Sequence, residues 1–529
     1  MSDRLWWKHG VVYQIYPRSF MDSNGDGVGD LAGIRARLDH LAWLGIDALW
    51  LSPIFPSPMA DFGYDVSDYC DVDPVFGDLA EFDALVADAH ARGIRVMLDW
   101  VPNHTSDRHA WFRESRASRT SSKRDWYVWR DARPGGGPPN NWAAMFGGPA
   151  WELDPETSQY YLRSFLKQQP DLNWRSPEVE RAMHAVLRFW LERGVDGFRI
   201  DVIHRIAKDP ELRDNPPSAR PGPGWGGQLH VHDENHPDIH GFLRRIRRVL
   251  DSYDERAAVG EIGLPPEQVA TYYGRGDELQ LAFNFSLLRA GWNARAFGRE
   301  LALFDEAVPP EGWPDLVLSN HDVPRHASRY DDPALGDARA RALALLLLTA
   351  RGTPFLYYGE EIGMRNGVIP PERRQDPLAW TLHPSVSRDP ERTPMHWSAE
   401  PGAGFTTGEP WLPLASDWAT RNVESQRADR ESLLWLYRDL LALRRRTPAL
   451  ERGAWRELPA PEGVLAWERL DGGSRALVAL NFASGSQSAG LPAAAVRDGV
   501  RTRAGADLPA DSGRLELGPC EAAALVVDA

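Results

Sequence analysis

The sequence predicts an α/β protein: a (β/α)8 TIM barrel with an inserted loop-rich subdomain after the third strand and a C-terminal antiparallel β-sandwich domain. Short β-branched runs alternate with amphipathic stretches through most of the chain, the pattern of βαβ units around a parallel sheet. Past residue 453 the rhythm changes to short alternating runs between Gly and Pro turns, which reads as antiparallel β. The 529 residues, 43% of them hydrophobic, exceed one ordinary domain and leave room for a barrel of roughly 250 residues plus additions.

In order, the first strand is expected at residues 11–16, a helix at 31–44, the second strand at 46–51, a helix at 79–92 and the third strand at 94–99. After Asn103 the rhythm breaks into a polar segment that contains Gly-Gly-Gly between prolines. A loop this long inside a compact domain is functional or disordered. Trp126, Trp129, Trp142 and Trp151 favour order, so residues 104–175 are assigned to the inserted subdomain, between barrel segments 1–103 and 176–452. Barrel rhythm resumes with a helix at 179–193 and a strand at 194–200, and is interrupted by a Pro-rich stretch at 215–225. It continues in strands at 257–261, 279–283, 316–320 and 354–357, and a helix follows at 431–446. The β domain is placed at 453–529, with runs at 476–480 and 523–527.

A net charge of −15, from 75 acidic and 60 basic side chains, argues against phosphate backbones and anionic lipid as partners. A neutral small substrate is expected, with no nucleic-acid or membrane partner. Cys70 and Cys520 have no zinc or redox spacing and read as core thiols. The first eight residues lack the apolar stretch of a signal peptide, and the longest apolar run, at 343–350, is far below a membrane span, so a cytoplasmic protein is expected, monomeric or a small homo-oligomer. The 22 tryptophans suit stacking on sugars, but most tryptophans in a large core are packing residues.

Four strand ends carry the informative polar residues: Asp99-Trp100-Val101-Pro102-Asn103-His104, Gly197-Phe198-Arg199-Ile200-Asp201, Gly260-Glu261-Ile262 and Ser319-Asn320-His321-Asp322. Singly, each carboxylate reads equally well as a cap or an ion-pair partner. Together, each after a strand-like run, they point to the C-terminal rim where barrel active sites lie. Cleaving a glycosidic bond takes one carboxylate to attack the anomeric carbon and another to protonate the leaving oxygen, in environments that separate their pKa values. Arg199 shares a strand face with Asp201 and is expected to keep it ionised. Glu261, beside Val259 and Ile262, is expected to be held protonated by apolar surroundings.

These four segments resemble the signature regions of the α-amylase superfamily, and the resemblance covers nearly the whole chain. The segments Tyr16-Pro17-Arg18-Ser19-Phe20, Gln169-Pro170-Asp171-Leu172-Asn173-Trp174 and Arg392-Thr393-Pro394-Met395 further resemble its bacterial α-glucosidase and oligo-1,6-glucosidase branch. The resemblance implies Asp201 as nucleophile, Glu261 as acid/base and Asp322 as the third carboxylate, which binds sugar hydroxyls. It implies His104, His321 and Tyr64 around the first sugar, with Asp61 and Arg388, preferred to Arg392, gripping its non-reducing end. Arg199, from its place on the strand face, is counted with the substrate-binding residues.

A second constellation is Asp22-Ser23-Asn24-Gly25-Asp26-Gly27-Val28-Gly29-Asp30. Oxygen donors at alternate places with glycine sixth resemble an EF-hand loop, although the twelfth place is Gly33 and not a bidentate Glu. The bland reading is an Asx-rich turn. The same loop in the resembling family holds a structural Ca2+ or Mg2+, which implies Asp22, Asn24, Asp26, Val28 and Asp30 as ligands; no organic cofactor is expected.

The function expected is that of an exo-acting retaining α-glucosidase on short oligosaccharides and disaccharides. An α-glucosyltransferase or a sucrose or trehalose isomerase would use the same carboxylates, and a non-catalytic carbohydrate-binding subunit would not need all three. Linkage preference stays open: Val202, directly after Asp201, resembles α-1,6 enzymes, while the whole-chain likeness is to broad α-glucosidases.

Overall fold

The computed structural model describes residues 4–220, 222 and 224–528. Pro221 and Pro223 of the expected Pro-rich stretch, and the first three residues of the N-terminal segment, lie outside the described residues.

Eight parallel strands form the central sheet: β1 (Val12–Ile15), β2 (Ala48–Leu51), β3 (Arg95–Trp100), β7 (Gly197–Ile200), β8 (Ala257–Gly260), β9 (Leu281–Ala282), β10 (Asp315–Val317) and β11 (Thr353–Tyr357). Their order is β10-β11-β1-β2-β3-β7-β8-β9. Nearly every residue in them is buried, as expected when helices cover a parallel sheet outside and side chains fill it inside. Among the described residues the strands at the two ends of this order share no ladder; the seam between them is bridged where Asn284 N–H donates to Asp315 Oδ1 at 3.2 Å.

Between the third and fourth barrel strands lies a small antiparallel sheet of β4 (Trp129–Arg130), β5 (Trp151–Asp154) and β6 (Gln159–Leu162). Its aromatics pack: Phe112 stacks on Trp129 at 5.7 Å and meets Tyr127 and Tyr161 edge-on. The tryptophans noted in the sequence therefore act mainly as packing, and Trp142 and Trp151 are 1% exposed. The expected helix at 31–44 is instead two, Leu31–Ala36 and Leu38–Leu44, separated at Arg37.

The C-terminal region contains β12 (Ala454–Leu458), β13 (Val464–Asp471), β14 (Ser474–Asn481), β15 (Gln487–Gly490), β16 (Val496–Arg501), β17 (Arg514–Leu517) and β18 (Ala522–Val527). Five form the sheet β12-β13-β14-β18-β16, and β15 pairs with β17. Strand alternation divides β14 between two cores: Leu477 and Ala479 face Leu515 and Leu517 of the small sheet, whereas Ala476, Val478 and Leu480 join the barrel's core. Gly472, at φ 54°, forms with Gly473 the two-residue turn between β13 and β14. The apolar run of residues 343–350 lies in the buried helix Gly336–Thr349, whose last carbonyls accept from two buried arginines: Arg444 Nη1 at Leu348 O (3.1 Å) and Arg469 Nη1 at Thr349 O (2.7 Å). Cations at a helix C-terminus meet its partial negative charge.

Candidate active site

The C-terminal ends of β3, β7, β8 and β10 converge on a cavity of about 380 Å³, lined among others by Asp61, Tyr64, His104, Asp201, Glu261, Asp322 and Arg388. That is within the usual range of small-molecule pockets, about 300–1,000 Å³. Arg199 and His321, expected at the substrate, do not line it; they lie directly behind the carboxylates at 2% and 1% exposure.

Arg199 organises the floor. Its Nη1 donates to Asp99 Oδ1 at 2.7 Å and to Asp201 Oδ1 at 2.8 Å, and its Nη2 lies 2.7 Å from Glu261 Oε2. The expected Arg199–Asp201 contact is present, but Arg199 does not by itself hold Asp201 in the ordinary carboxylate range, and the expectation that Glu261 has only apolar neighbours is wrong because the same guanidinium reaches it. The strand after β7 and the strand before it end level, so one guanidinium fork reaches carboxylates on three neighbouring strands. Burial drives Asp201 well above the ordinary carboxylate range; Arg199 opposes this, and Glu261, Asp99 and Asp322 reinforce it. Asp201 and Asp99, both raised by burial beside the one guanidinium, titrate together and hold a proton more readily than isolated carboxylates would.

Asp99, not selected from the sequence, is 1% exposed and also accepts from Tyr64 Oη (3.0 Å) and Trp50 Nε1 (3.2 Å). Burial pushes it up to about 6 against the pull of Arg199. Because the folded value lies above the unfolded one, about 3.9, this group's contribution to stability is complete below pH 4 and is lost as pH rises through about 6. Asp99→Asn is thus expected to flatten the fall in Tm between pH 4 and 7; an unaltered slope by calorimetry would remove Asp99 as its source.

Asp322 shows the opposite balance. Burial alone would raise it, but His321, Arg388, Arg392 and Arg199 together hold it well below the carboxylate range. Arg388 Nη1 and Arg392 Nη2 meet its Oδ1 at 3.1 and 2.9 Å. Arg388 also pairs with Asp61 Oδ1 at 2.7 Å and Asp376 Oδ1 at 2.7 Å. The acid and base expected at the non-reducing end are thus in contact, and Arg392, set aside in favour of Arg388, is engaged on the same carboxylate. Asp65 holds the backbone beneath Asp61, accepting from the N–H groups of Asp61 (2.9 Å) and Ala60 (3.0 Å).

The His321 ring lies between Tyr64 (5.4 Å, 6°) and Tyr16 (6.1 Å, 18°), with Nε2 2.6 Å from Tyr64 Oη and Nδ1 2.8 Å from Gln14 Nε2. Gln169 Nε2 joins Asp61 Oδ2 (3.1 Å) to His104 Nε2 (3.1 Å). Burial lowers His104 to about 4 and His321 to about 3, so both are neutral near pH 7 and each offers one donor and one acceptor. Val202, which follows Asp201, is in left-handed backbone at φ 35°, ψ 43°, and its N–H donates to Glu261 Oε2 at 3.0 Å. A β-branched residue there stores about 1–3 kcal/mol of strain.

Asp376 and Gln169 are likewise absent from the residues to which the sequence points. Asp376 lies in an aperiodic loop with no sequence signal, whereas Gln169 opened a segment already noted, and Asp99 opened the one that supplied His104.

The profile of the α-amylase catalytic domain matches residues 14–453. The chain belongs to the α-amylase family. Among α-amylase family relatives, a probable α-glucosidase of Rhizobium meliloti is 46% identical over 507 residues, spanning 93% of this chain and 92% of that protein. An oligo-1,6-glucosidase of Parageobacillus thermoglucosidasius is 38% identical over 524 residues, 93% of this chain and 92% of its own. Among solved structures of the family, the α-glucosyl transfer enzyme XgtA superposes with TM-score 0.94 at 43% identity, covering 99% of this chain and 100% of that one. The trehalulose synthase MutB of Pseudomonas mesoacidophila superposes with TM-score 0.90 at 36% identity, covering 100% of each.

In the glycine loop, Asp22 accepts from the N–H groups of Asn24 (3.0 Å), Gly25 (2.7 Å) and Gly27 (2.8 Å), and from Thr406 Oγ1. Asn24 accepts from Asp26 N–H and Asp26 from Val28 N–H, a run of Asx turns. Asp30 caps the helix Leu31–Ala36. Among the described residues, no group of three or more His, Cys, Asp or Glu side chains converges as a metal cluster. The donor chemistry, all oxygen, suits a hard cation, but the loop also closes on its own N–H groups.

Proposed function

We propose that the chain is an exo-acting retaining α-glucosidase, releasing terminal non-reducing α-linked glucose from short oligosaccharides and disaccharides. The observation that carries this is the Asp61–Arg388 pair in the wall of the cavity that Asp201, Glu261 and Asp322 also line. A paired acid and base presents both acceptors and donors to the vicinal hydroxyls of a terminal sugar, as an exo-acting site requires.

In this reading Asp201 attacks the anomeric carbon while Glu261 protonates the leaving oxygen; water, deprotonated by Glu261, then releases glucose with retention. Asp322, kept ionised by Arg388 and Arg392, accepts hydrogen bonds from sugar hydroxyls. Neutral His104 and His321 support the same sugar, the first at the cavity wall and the second through Tyr64 and Asp322. Relatives named as α-glucosidases and oligo-1,6-glucosidases support the hydrolase reading. A second reading, glucosyl transfer or isomerisation, is favoured by the likeness to XgtA and MutB.

The test is a product-resolved assay on maltose, isomaltose, trehalose and sucrose, with the anomer released followed by NMR. Initial α-glucose is expected and ranks the linkages. An isomerised disaccharide with little glucose would replace the hydrolase reading by the second one, and β-glucose would overturn Asp201 as nucleophile.

The proposal includes a divalent cation, Ca2+ or Mg2+, in the loop of Asp22, Asn24, Asp26, Val28 and Asp30, away from the carboxylates. Chelation is then expected to lower Tm by roughly 2–5 °C, reversibly on adding Ca2+, with kcat at 25 °C within twofold. No response of Tm to either treatment would make the loop an Asx-rich turn and nothing more. No helix among the described residues is long and apolar enough to cross a membrane. Two free cysteines, one half-buried and one buried, support the further proposal of a reducing, cytoplasmic location.

A further inference from the structure

We propose that the leaving-group side of the cavity selects an aglycone, or a competing acceptor, that joins an apolar body to an anionic group such as a carboxylate. This rests on the α-glucosidase reading and adds the class of partner that the second subsite takes.

The cations at the sugar end are all matched. Arg199, Arg388 and Arg392 each contact at least one carboxylate. The mouth is different. Arg289, from the loop after β9, and Arg329, from the segment after β10, both line the same cavity as Asp201 and Glu261. Among the described residues, neither takes part in an ion pair, although 75 acidic side chains are present. Arg329 gives its two terminal nitrogens to the carbonyls of Pro324 (2.7 Å) and Leu318 (2.6 Å), and its Nε is buried without a partner. Those carbonyls orient the guanidinium without cancelling its charge. Arg289 is exposed, and it also lines an adjoining cavity of about 370 Å³ that shares Phe285 with the first. A lone surface arginine would be only a solvated charge. Two of them, on the two loops that flank the barrel seam and facing one cavity, form a local positive site in an acidic protein.

The wall near them is apolar: Phe285, Leu288, Val323 and Pro324 come from the same two loops, and Met145 and Val386, at 42% and 44% exposed, line the cavity too. A bare sugar would leave these apolar side chains in water and the guanidinium groups without an anion. An aromatic carboxylate covers the first and pairs with the second through charge-assisted hydrogen bonds. The chemistry is otherwise unaltered. The bond from the anomeric carbon to the aglycone oxygen breaks, the bond to Asp201 forms, the proton of Glu261 goes to the leaving oxygen, and the aglycone carboxylate stays ionised throughout.

The test compares 4-carboxyphenyl with 4-carbamoylphenyl α-D-glucopyranoside, which share shape and differ in charge. The carboxylate-to-carboxamide ratio of kcat/KM is expected to be about tenfold higher in the wild type at low salt than in Arg289→Gln. It is also expected to collapse in 1 M NaCl, about 3 Å of screening length. Using the ratio cancels the different leaving abilities of the two phenols. Arg289 is exposed and its side chain makes no hydrogen bond or ion pair among the described residues, so the variant tests charge and not folding; Arg289→Lys should recover part of the ratio. An identical ratio in wild type and Arg289→Gln, or one indifferent to salt, overturns the proposal. Failure on both glucosides and on maltose would instead sink the α-glucosidase reading.

Discussion

Asp201→Ala is expected to lower kcat by a factor on the order of 10⁴–10⁶ while Tm holds or rises. The kinetic half follows because no other carboxylate in the cavity is placed to take over: Asp99 is buried beneath Tyr64, and Asp322 is tied to two arginines. The stability half follows from crowding. Asp201 is raised by burial and by three neighbouring carboxylates, so its removal relieves repulsion while Arg199 keeps Asp99 and Glu261. Steady-state kinetics and calorimetry on one preparation decide both halves. A loss below about 100-fold would place the nucleophile elsewhere, and a Tm several degrees lower would make the carboxylate a structural one.

Arg199→Met should do the reverse damage, with stability failing together with activity. Methionine fills similar space, but Asp99, Asp201 and Glu261 would lose the guanidinium they share. Breaking a buried pair from one side costs about 3–5 kcal/mol, and here three pairs break at once, partly offset by proton uptake. The expected result is a Tm more than 10 °C lower at pH 7 and a smaller deficit at pH 5, where the carboxylates can protonate. Adding Asp99→Asn should restore part of the stability and none of the activity. A variant as stable as wild type at pH 7 would show that the cluster is already largely neutral.

The barrel and the polar residues at its rim were readable because both depend on local pattern. Each expected strand overlaps an observed one, and Asp201, Glu261 and Asp322 stand where strand runs end. The electrostatics were not readable. From the sequence, Arg199 has one visible neighbour on its own strand; its contacts to Asp99 and Glu261 depend on how three strands line up in register, which no single segment encodes. Asp376 was hidden for a related reason, since its importance lies in a pairing with Arg388 across an irregular loop. Arg37 separates two helices where a single amphipathic run was expected, because the stripe continues across the break and periodicity alone does not register a turn.

The left-handed backbone at Val202 has a consequence for how this sequence can change. Glycine or asparagine would relax that residue, so a library at position 202 sorted by heat resistance alone will enrich them. The valine methyls that line the sugar cavity would be lost in the same step. Selection for durability and selection for substrate choice therefore pull this one position in opposite directions, and a survivor of the first should be expected to have drifted in the second.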